Sequence, residues 1–353
     1  KVFPTVPTKD LVIHPREHDL VIGTFGRAIW ILDDIRPFRE LAKNPEISKK
    51  KLHLFSPPKA YLTEYQQPTG SRFGADAIYN AENKKYGSML TYFYRKGEEK
   101  SKDSLTLSIY DGERLIRTLK QKAPKETGFH RTYWSLSEKG VERPSRNIRK
   151  SKREPGGVTV KPGNYRIVLG TASNTSETSL EVLTDPRLNV SKKTIEDRYR
   201  YSKVIEGYMG QTTLAVNQLK ASKATLASYK KRINAKDKES NTSLIDKIDE
   251  ASKAIDSILD SFLGKVDKRQ GIVRNPENSV VKRIYTASGY IRSRPDGITE
   301  TEKALMQHAL NDLKIALEHT NSFYEENWDE LKMTIEAIEL SEFKEIKRFQ
   351  IKN

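Results

Sequence analysis

The segment HDLVIGTFGRAIWILDD, residues 18–34, determines the fold expected for the N-terminal part of the chain. It contains two short apolar runs, residues 20–24 and 28–32, which are separated by a Gly-Arg turn at residues 26–27. A third apolar run, residues 10–14, comes shortly before them. Strands of about five residues joined by tight turns are typical of an antiparallel meander. The sequence therefore predicts three consecutive antiparallel strands.

Three short strands cannot form a stable structure alone, because a small sheet with two faces needs a partner layer. Meanders of this kind stack radially around an axis in β-propellers. We therefore interpret residues 1–56 as a last propeller blade, or part of one, followed by a short exit helix at residues 35–42. The first residue is lysine rather than methionine, which predicts a fragment or a processed form of a longer protein.

The same stretch resembles the closing blade of large bacterial sortilin-like propeller proteins, often labelled BNR-repeat glycosyl hydrolases. That family typically has His-Pro-Arg in the first turn, then Gly-Thr-His-Gly-Arg-Gly-Ile-Trp-Ile-Leu-Asp-Asp. The matching residues are His14, Pro15, Arg16, Gly23, Thr24, Gly26, Arg27, Ile29, Trp30, Asp33 and Asp34. The chain departs from the family at Phe25, where histidine is usual, and at Ala28, where glycine is usual. The departure at Phe25 puts any role of the family histidine in doubt here.

The second predicted region, residues 57–186, contains short strands with alternating polar and apolar residues. We expect strands at residues 87–94, 104–110, 115–119, 129–136, 164–169 and 178–183. An Asp-Gly pair at residues 111–112 predicts a hairpin turn. Strands at this spacing favour a β-sandwich.

Two segments of this region resemble the immunoglobulin-like module that follows the propeller in the same family. They are GFHRTYWSL, residues 128–136, and VKPGNYRIVLG, residues 160–170. The resemblance implies an inward-facing tryptophan and a Pro-Gly turn into the penultimate strand. The residues that carry this match are Trp134, Pro162, Gly163 and Tyr165.

The third region, residues 187–353, has helical periodicity. Pro186 interrupts the last strand, and Ser191 can cap the helix that follows. Apolar residues then recur at steps of three and four along four segments. The stripe of the second segment ends at Val266, and that of the fourth includes Leu310 and Leu317. Thr299 caps the fourth segment, where a break is expected near Asn327. Four such stripes with short polar connections predict an antiparallel helical bundle. The expected fold class is therefore multidomain β plus α, with a terminal propeller blade, an immunoglobulin-like sandwich and a helical bundle.

The chain of 353 residues has a formal net charge of +16. Most lysines alternate with acidic residues along the helical patterns, which argues against a nucleic-acid partner. The densest basic cluster lies beside prolines and glycines and is typical of a flexible loop. This possible anion-binding group consists of Arg143, Arg146, Arg149, Lys150, Lys152 and Arg153. No apolar run is long enough to span a bilayer.

The opening segment contains four side chains that can bind an anion or act as general acid and base. They are His18, Arg27, Asp33 and Asp34. A propeller active site draws its groups from several blades, however, and this chain has at most one. The alternative is structural: the glycines permit tight turns, Trp30 fills a layer between blades, and Arg27 and the aspartates satisfy one another or the backbone. We favour the structural alternative and assign no catalytic residue.

No cofactor or metal site is predicted. The chain has no cysteine, which excludes thiolate catalysis and cysteine-based zinc sites. His308, Asp312 and His319 share a helix, but the two histidines are too far apart to bind one ion together and are expected on a solvated face. Serine-nucleophile, phosphate-loop and dinucleotide-binding motifs are absent from the sequence.

Three functions remain open at this point. The chain can be the accessory and scaffolding C-terminal region of an exported sortilin-like protein, whose partners are the remainder of the propeller and an envelope protein or polysaccharide. It can be part of a sialidase-like glycoside hydrolase whose active site lies mainly on the missing propeller. It can also be a basic protein that binds anionic polymers. A secreted, periplasmic or cell-surface location is implied by the resemblance alone.

Overall fold

A computed structural model of the chain describes residues 3, 5–64, 84–97, 104–147, 153–236, 239, 241–265, 278–293 and 296–338. The chain divides into two compact units. The first comprises Lys1–Gly140 and Ser151–Tyr199, and the second comprises Val141–Lys150 and Arg200–Asn353. The division into three regions at 1–56, 57–186 and 187–353 stays a prediction.

The first unit opens with the predicted three-stranded sheet. Its strands are β1 (Thr8–Ile13), β2 (Leu20–Thr24) and β3 (Ile29–Leu32), in the order β1-β2-β3. Both pairings are antiparallel, so the predicted meander is confirmed. The predicted exit helix is also present, as α1 (Arg36–Lys43).

After a 3₁₀ turn at Pro45–Lys49, two further sheets enclose one apolar core. The strands are β4 (Leu52–Leu54), β5 (Ala60–Leu62), β6 (Ser88–Tyr94), β7 (Ser104–Asp111), β8 (Arg114–Lys122), β9 (Gly128–Trp134), β10 (Ser137–Lys139), β11 (Gly156–Thr159), β12 (Gly163–Gly170) and β13 (Thr175–Thr184). One sheet has the order β5-β13-β12-β7-β8 and the other β4-β6-β9, while β10 and β11 form a separate pair. All pairings are antiparallel except that of β5 with β13.

The alternating pattern of β7 and β12 explains why this core forms. Leu105, Leu107 and Ile109 point inward from β7 and are almost fully buried, while the residues between them are partly exposed. The predicted Asp-Gly hairpin joins β7 to β8, and Gly112 has a φ of 59°, which glycine adopts without strain.

The second unit is helical. The helices are α2 (Lys192–Lys236), whose residues up to Tyr199 belong to the first unit, α3 (Thr242–Leu263), α4 (Val280–Ser293), α5 (Glu300–Phe323) and α6 (Asp329–Glu336), with a π-helical turn at Tyr324–Trp328. Ser191 and Thr299 cap α2 and α5 as expected, and Thr299 with Glu302 forms a capping box. The π-helical turn includes Asn327, where a break was predicted.

The apolar stripes of these helices form one core. On α5 the buried stripe passes through Ala309 and Ala316, whereas Leu310 and Leu317 of the predicted stripe are only partly buried. Val266, predicted to extend the stripe of α3, lies outside the described residues.

The chain is therefore a mixed α plus β protein with several antiparallel sheets. The assignments to a propeller blade, an immunoglobulin-like module and an antiparallel bundle stay predictions.

Candidate interaction surface

The β1–β3 sheet carries apolar side chains on both of its faces. Residues opposite each other in an antiparallel sheet point to the same side, and the register sets Leu11 against Ile22 and Ile22 against Trp30. The first face consists of Leu11, Ile13, Leu20, Ile22, Trp30 and Leu32. The second face consists of Val12, Val21, Ile29 and Ile31, together with Asp10 and Gly23.

Both faces are open in the described part of the chain. Leu11 is 59% exposed on the first face, and Ile29 and Ile31 are 67% and 61% exposed on the second. Even the central strand β2 is only half-buried, and none of the three strands contributes to a buried core. An antiparallel sheet at a protein surface normally has one apolar and one polar face. The two open apolar faces are therefore candidate interaction surfaces.

The β2–β3 turn contains Gly26, Arg27 and Ala28 and lies beside Trp30. Gly26 has a φ of 78° and Ala28 a φ of 60°, so two positions in this turn are left-handed. The left-handed conformation is natural for glycine but strained for alanine. Trp30 donates a hydrogen bond from Nε1 to the Arg27 carbonyl at 3.0 Å, which holds the turn against the first face.

The charged groups at the opposite end of the sheet form a buried cluster. Asp19 and Asp34 are 7% and 2% exposed. The Asp34 carboxylate accepts a hydrogen bond from Arg36 Nε at 2.6 Å. The Asp19 carboxylate accepts one from the Asp34 backbone N–H at 3.0 Å and one from Lys84 Nζ at 2.6 Å. Burial by itself would raise the pKa of Asp19, but these hydrogen bonds outweigh it and lower that pKa below its ordinary value.

Arg131 of β9 ties this cluster to the neighbouring sheet. Its guanidinium donates hydrogen bonds to the backbone carbonyls of Asp33 and Asp34, and it lies 3.9 Å from the Asp33 carboxylate. Of the two expected arrangements, pairing with Arg27 or with backbone donors, Asp34 shows the second: its carboxylate accepts a hydrogen bond from the backbone N–H of Arg36 at 3.2 Å as well as from the Arg36 side chain. The Arg27 side chain is exposed and makes no ion pair with any described residue. Nothing in the sequence near the meander could have predicted Lys84 and Arg131, since both are distant along the chain.

The charged cluster is better suited to hold the end of the β1–β3 sheet in place than to act as an acid-base site. Asp34, the more buried of the two carboxylates, already accepts hydrogen bonds from Arg36, and Asp19 is paired with a lysine. A glycosidase needs two carboxyl groups that reach the same substrate bond. His18 has a φ of 58°, and its carbonyl accepts a hydrogen bond from the Ile35 N–H, so its backbone helps to shape the same junction.

The predicted sandwich residues lie around one end of the core. Trp134 is fully buried and donates from Nε1 to the Ser137 carbonyl at 2.9 Å. Its ring lies 5.5 Å from that of Tyr165 in an edge-on arrangement. Tyr165 donates a hydrogen bond from its hydroxyl to the Lys161 carbonyl at 2.6 Å, across the turn at Pro162 and Gly163. These residues support the start of β12.

Two arginines of the predicted anion-binding group contact other residues of the protein. Arg146 pairs with the Asp260 carboxylate and donates to the Gly264 carbonyl at 2.6 Å, at the end of α3. Arg143 lies over the ring of Tyr285, 5.5 Å from its centre. Arg153 is exposed, and Arg149, Lys150 and Lys152 lie outside the described residues. At least one of the six charges is therefore neutralised within the protein.

The helical histidines are placed as expected. His308 and His319 are exposed, and Asp312 accepts a hydrogen bond from Arg283 at 3.1 Å. In the portion of the chain that is described, no group of three histidine, aspartate or glutamate side chains is arranged to hold a metal ion.

No family model, no curated protein and no solved structure matches the chain. Within the described residues, none of the helices combines the length and the apolar character needed to cross a membrane. The resemblance to sortilin-like propeller proteins stays a prediction.

Proposed function

We propose that this chain is a C-terminal accessory and scaffolding region of a sortilin-like β-propeller protein that is exported to the cell envelope or exterior. In this proposal the β1–β3 sheet is part of a blade, and adjacent propeller strands cover it. The sandwich braces the blade, and the helical unit provides contacts with envelope proteins or polysaccharides.

The observation that carries the proposal is the pair of exposed apolar faces. Propeller blades are sheets stacked face to face around an axis. Each blade therefore buries both of its faces against the two neighbouring blades. A symmetric dimer of this chain would cover the same face on both copies and leave the other face open. Neighbouring blades on both sides account for both faces at once.

Two local features support the resemblance behind this proposal. Ala28 occupies a left-handed position at the point where the family has glycine, which is the residue that this backbone favours. The hydrogen bond from the Tyr165 hydroxyl to the carbonyl four residues upstream resembles the tyrosine corner of immunoglobulin-like sandwiches.

Hydrogen exchange tests the proposal. In the isolated chain, amides of β2 should exchange through local opening, because few buried contacts hold the sheet. In the complete natural gene product the same amides should exchange at least about 100-fold more slowly, as expected for about 3 kcal/mol of added burial. Full protection in the isolated monomer would contradict the proposal, and protection that rises with chain concentration would indicate a second copy as the cover.

A parent glycoside hydrolase remains the second candidate, since the family label implies that activity. Glycan hydrolysis should then occur in the complete gene product and not in this chain alone. Hydrolysis by the isolated chain would overturn the scaffolding proposal. A general anionic-polymer binder is less supported, because Arg146 is already paired within the protein.

A further inference from the structure

A shallow cavity that is open to solvent lies beside the connection between β8 and β9, in the first unit. Its volume is about 300 Å³, at the lower end of the range for ligand pockets. The residues around it are Tyr92, Gln121, Lys122, Pro124, Lys125, Glu126, His130 and Arg131. It is separate from both apolar faces of the β1–β3 sheet, so a ligand here would not depend on the proposed function.

The rim of the cavity is cationic. Lys122, Lys125 and Arg131 contribute three positive charges, against one carboxylate from Glu126. Arg131 is engaged with Asp33 and Asp34, whereas Lys122 and Lys125 have no ion-pair partner in the described part of the chain. Two free ammonium groups beside a concave site attract an anionic group.

The inner wall offers neutral hydrogen-bonding groups. Tyr92 is 3% exposed, and its hydroxyl oxygen accepts a hydrogen bond from Gln121 Nε2 at 3.2 Å. Thr132 donates to Gln121 Oε1 at 3.1 Å, which fixes the orientation of that amide. The proton of the Tyr92 hydroxyl therefore has no acceptor among the described residues. Burial raises the pKa of Tyr92 to about 12, so this hydroxyl remains a donor at neutral pH.

His130 adds an acceptor to the same wall. Its Nε2 lies 2.9 Å from the Glu126 carbonyl, which can only accept, so Nε2 carries the proton. In the neutral ring, Nδ1 is then left as an acceptor. A donor on Tyr92 and an acceptor on His130 suit hydroxyl groups, since a hydroxyl can both donate and accept.

We propose that this cavity binds a small polyhydroxylated carboxylic acid of the acidic-sugar class, with the carboxylate near Lys122 and Lys125 and the hydroxyl groups toward Tyr92 and His130. The acid can be a free monosaccharide or one unit of an acidic polysaccharide, because both present the same groups.

Calorimetric titration of the whole chain with galacturonate, its tetramer, galactose and inorganic sulfate at low ionic strength tests this site. Replacing one lysine near a bound carboxylate should weaken binding about fivefold, the effect of about 1 kcal/mol in water. The double variant Lys122→Gln with Lys125→Gln should therefore bind galacturonate about 25-fold more weakly. Lys120→Gln is the matched control, because Lys120 lies on the same strand but does not line the cavity, and it should leave affinity unchanged.

Tyr92→Phe tests the hydroxyl part, since it keeps the buried ring and removes only the donor. It should weaken binding of galacturonate but not of sulfate. Tighter binding of the tetramer than of the monomer would assign the site to a polysaccharide, and the reverse would assign it to a free acid. No binding of either acid, equal binding of galactose and galacturonate, or equal losses in the Lys120→Gln control and the double variant would overturn the proposal.

Discussion

Replacing Ile29 and Ile31 with threonine should separate the isolated chain from the assembled protein. Threonine keeps the β-branched shape that strands favour, so the change acts mainly on apolar burial. The two isoleucines are 67% and 61% exposed, which means that the chain by itself buries only about a third of each. Full burial of an isoleucine side chain stabilises by about 1.5–3 kcal/mol.

The expected cost in the isolated chain is therefore about 1–2 kcal/mol for the pair. If neighbouring blades cover the second face, burial of the remaining two thirds adds about 2–4 kcal/mol to that cost. Urea unfolding of the isolated chain and of the complete gene product, each with and without the double substitution, gives this difference directly. Ile109→Val is the control, because this fully buried side chain should lose about 0.5–1.5 kcal/mol equally in both proteins.

Equal costs of the Ile29 and Ile31 substitutions in both proteins would refute the reasoning. That result would mean that the second face stays open to solvent after assembly.

Three further predictions concern single positions. Ala28→Gly should stabilise the β2–β3 turn by up to about 1 kcal/mol, because it removes the strain of an alanine in the left-handed conformation. The amide of Trp30 should then exchange its hydrogen more slowly, and faster exchange would contradict the prediction. Asp185→Ala should cost about 1–3 kcal/mol in urea unfolding at neutral pH, because a buried carboxylate that accepts hydrogen bonds from Arg187 is lost. Those hydrogen bonds hold the pKa of Asp185 below its ordinary value of 3.8. The wild type should therefore lose the stability that the ionised carboxylate provides as the pH falls below about 4. An acid unfolding transition that is the same in the variant and the wild type would contradict this role of Asp185. Tyr165→Phe should cost about 1 kcal/mol in the same unfolding assay through loss of its hydrogen bond to the Lys161 carbonyl, and no change would mean that this bond is not stabilising.

The local patterns of the sequence were sufficient to predict most elements. The three short runs near the start gave β1, β2 and β3 because turn residues separate them, and Thr299 gave the start of α5 because a capping side chain satisfies the first free N–H groups. Such signals act over a few residues and can be read from one segment at a time.

Contacts between distant segments could not be predicted in this way. Lys84 binds the Asp19 carboxylate and Arg131 of β9 reaches the Asp34 carbonyl, and neither contact was expected from the sequence. The choice among several arginines depends on how the sheets pack, and no local pattern records that packing.

The helix stripe of α5 shows the same limit at smaller scale. Leu310 and Leu317 were expected inside because their spacing continues the apolar stripe, yet the smaller Ala309 and Ala316 occupy the buried positions. Small residues permit close approach of neighbouring helices, so the side that packs is set by the partner helix as well as by apolarity.

Cysteine labelling tests the central claim most directly, because the chain has no cysteine of its own and each introduced thiol is unique. Leu11→Cys probes the first face of the β1–β3 sheet and Ile29→Cys probes the second. Both thiols should react rapidly with a soluble reagent in the isolated chain. In the complete gene product, with any other cysteines replaced, both should react at least about 100-fold more slowly, as for groups exposed only by local opening. Unchanged rates at both positions in the complete protein would show that no neighbouring sheet covers these faces and would contradict the account.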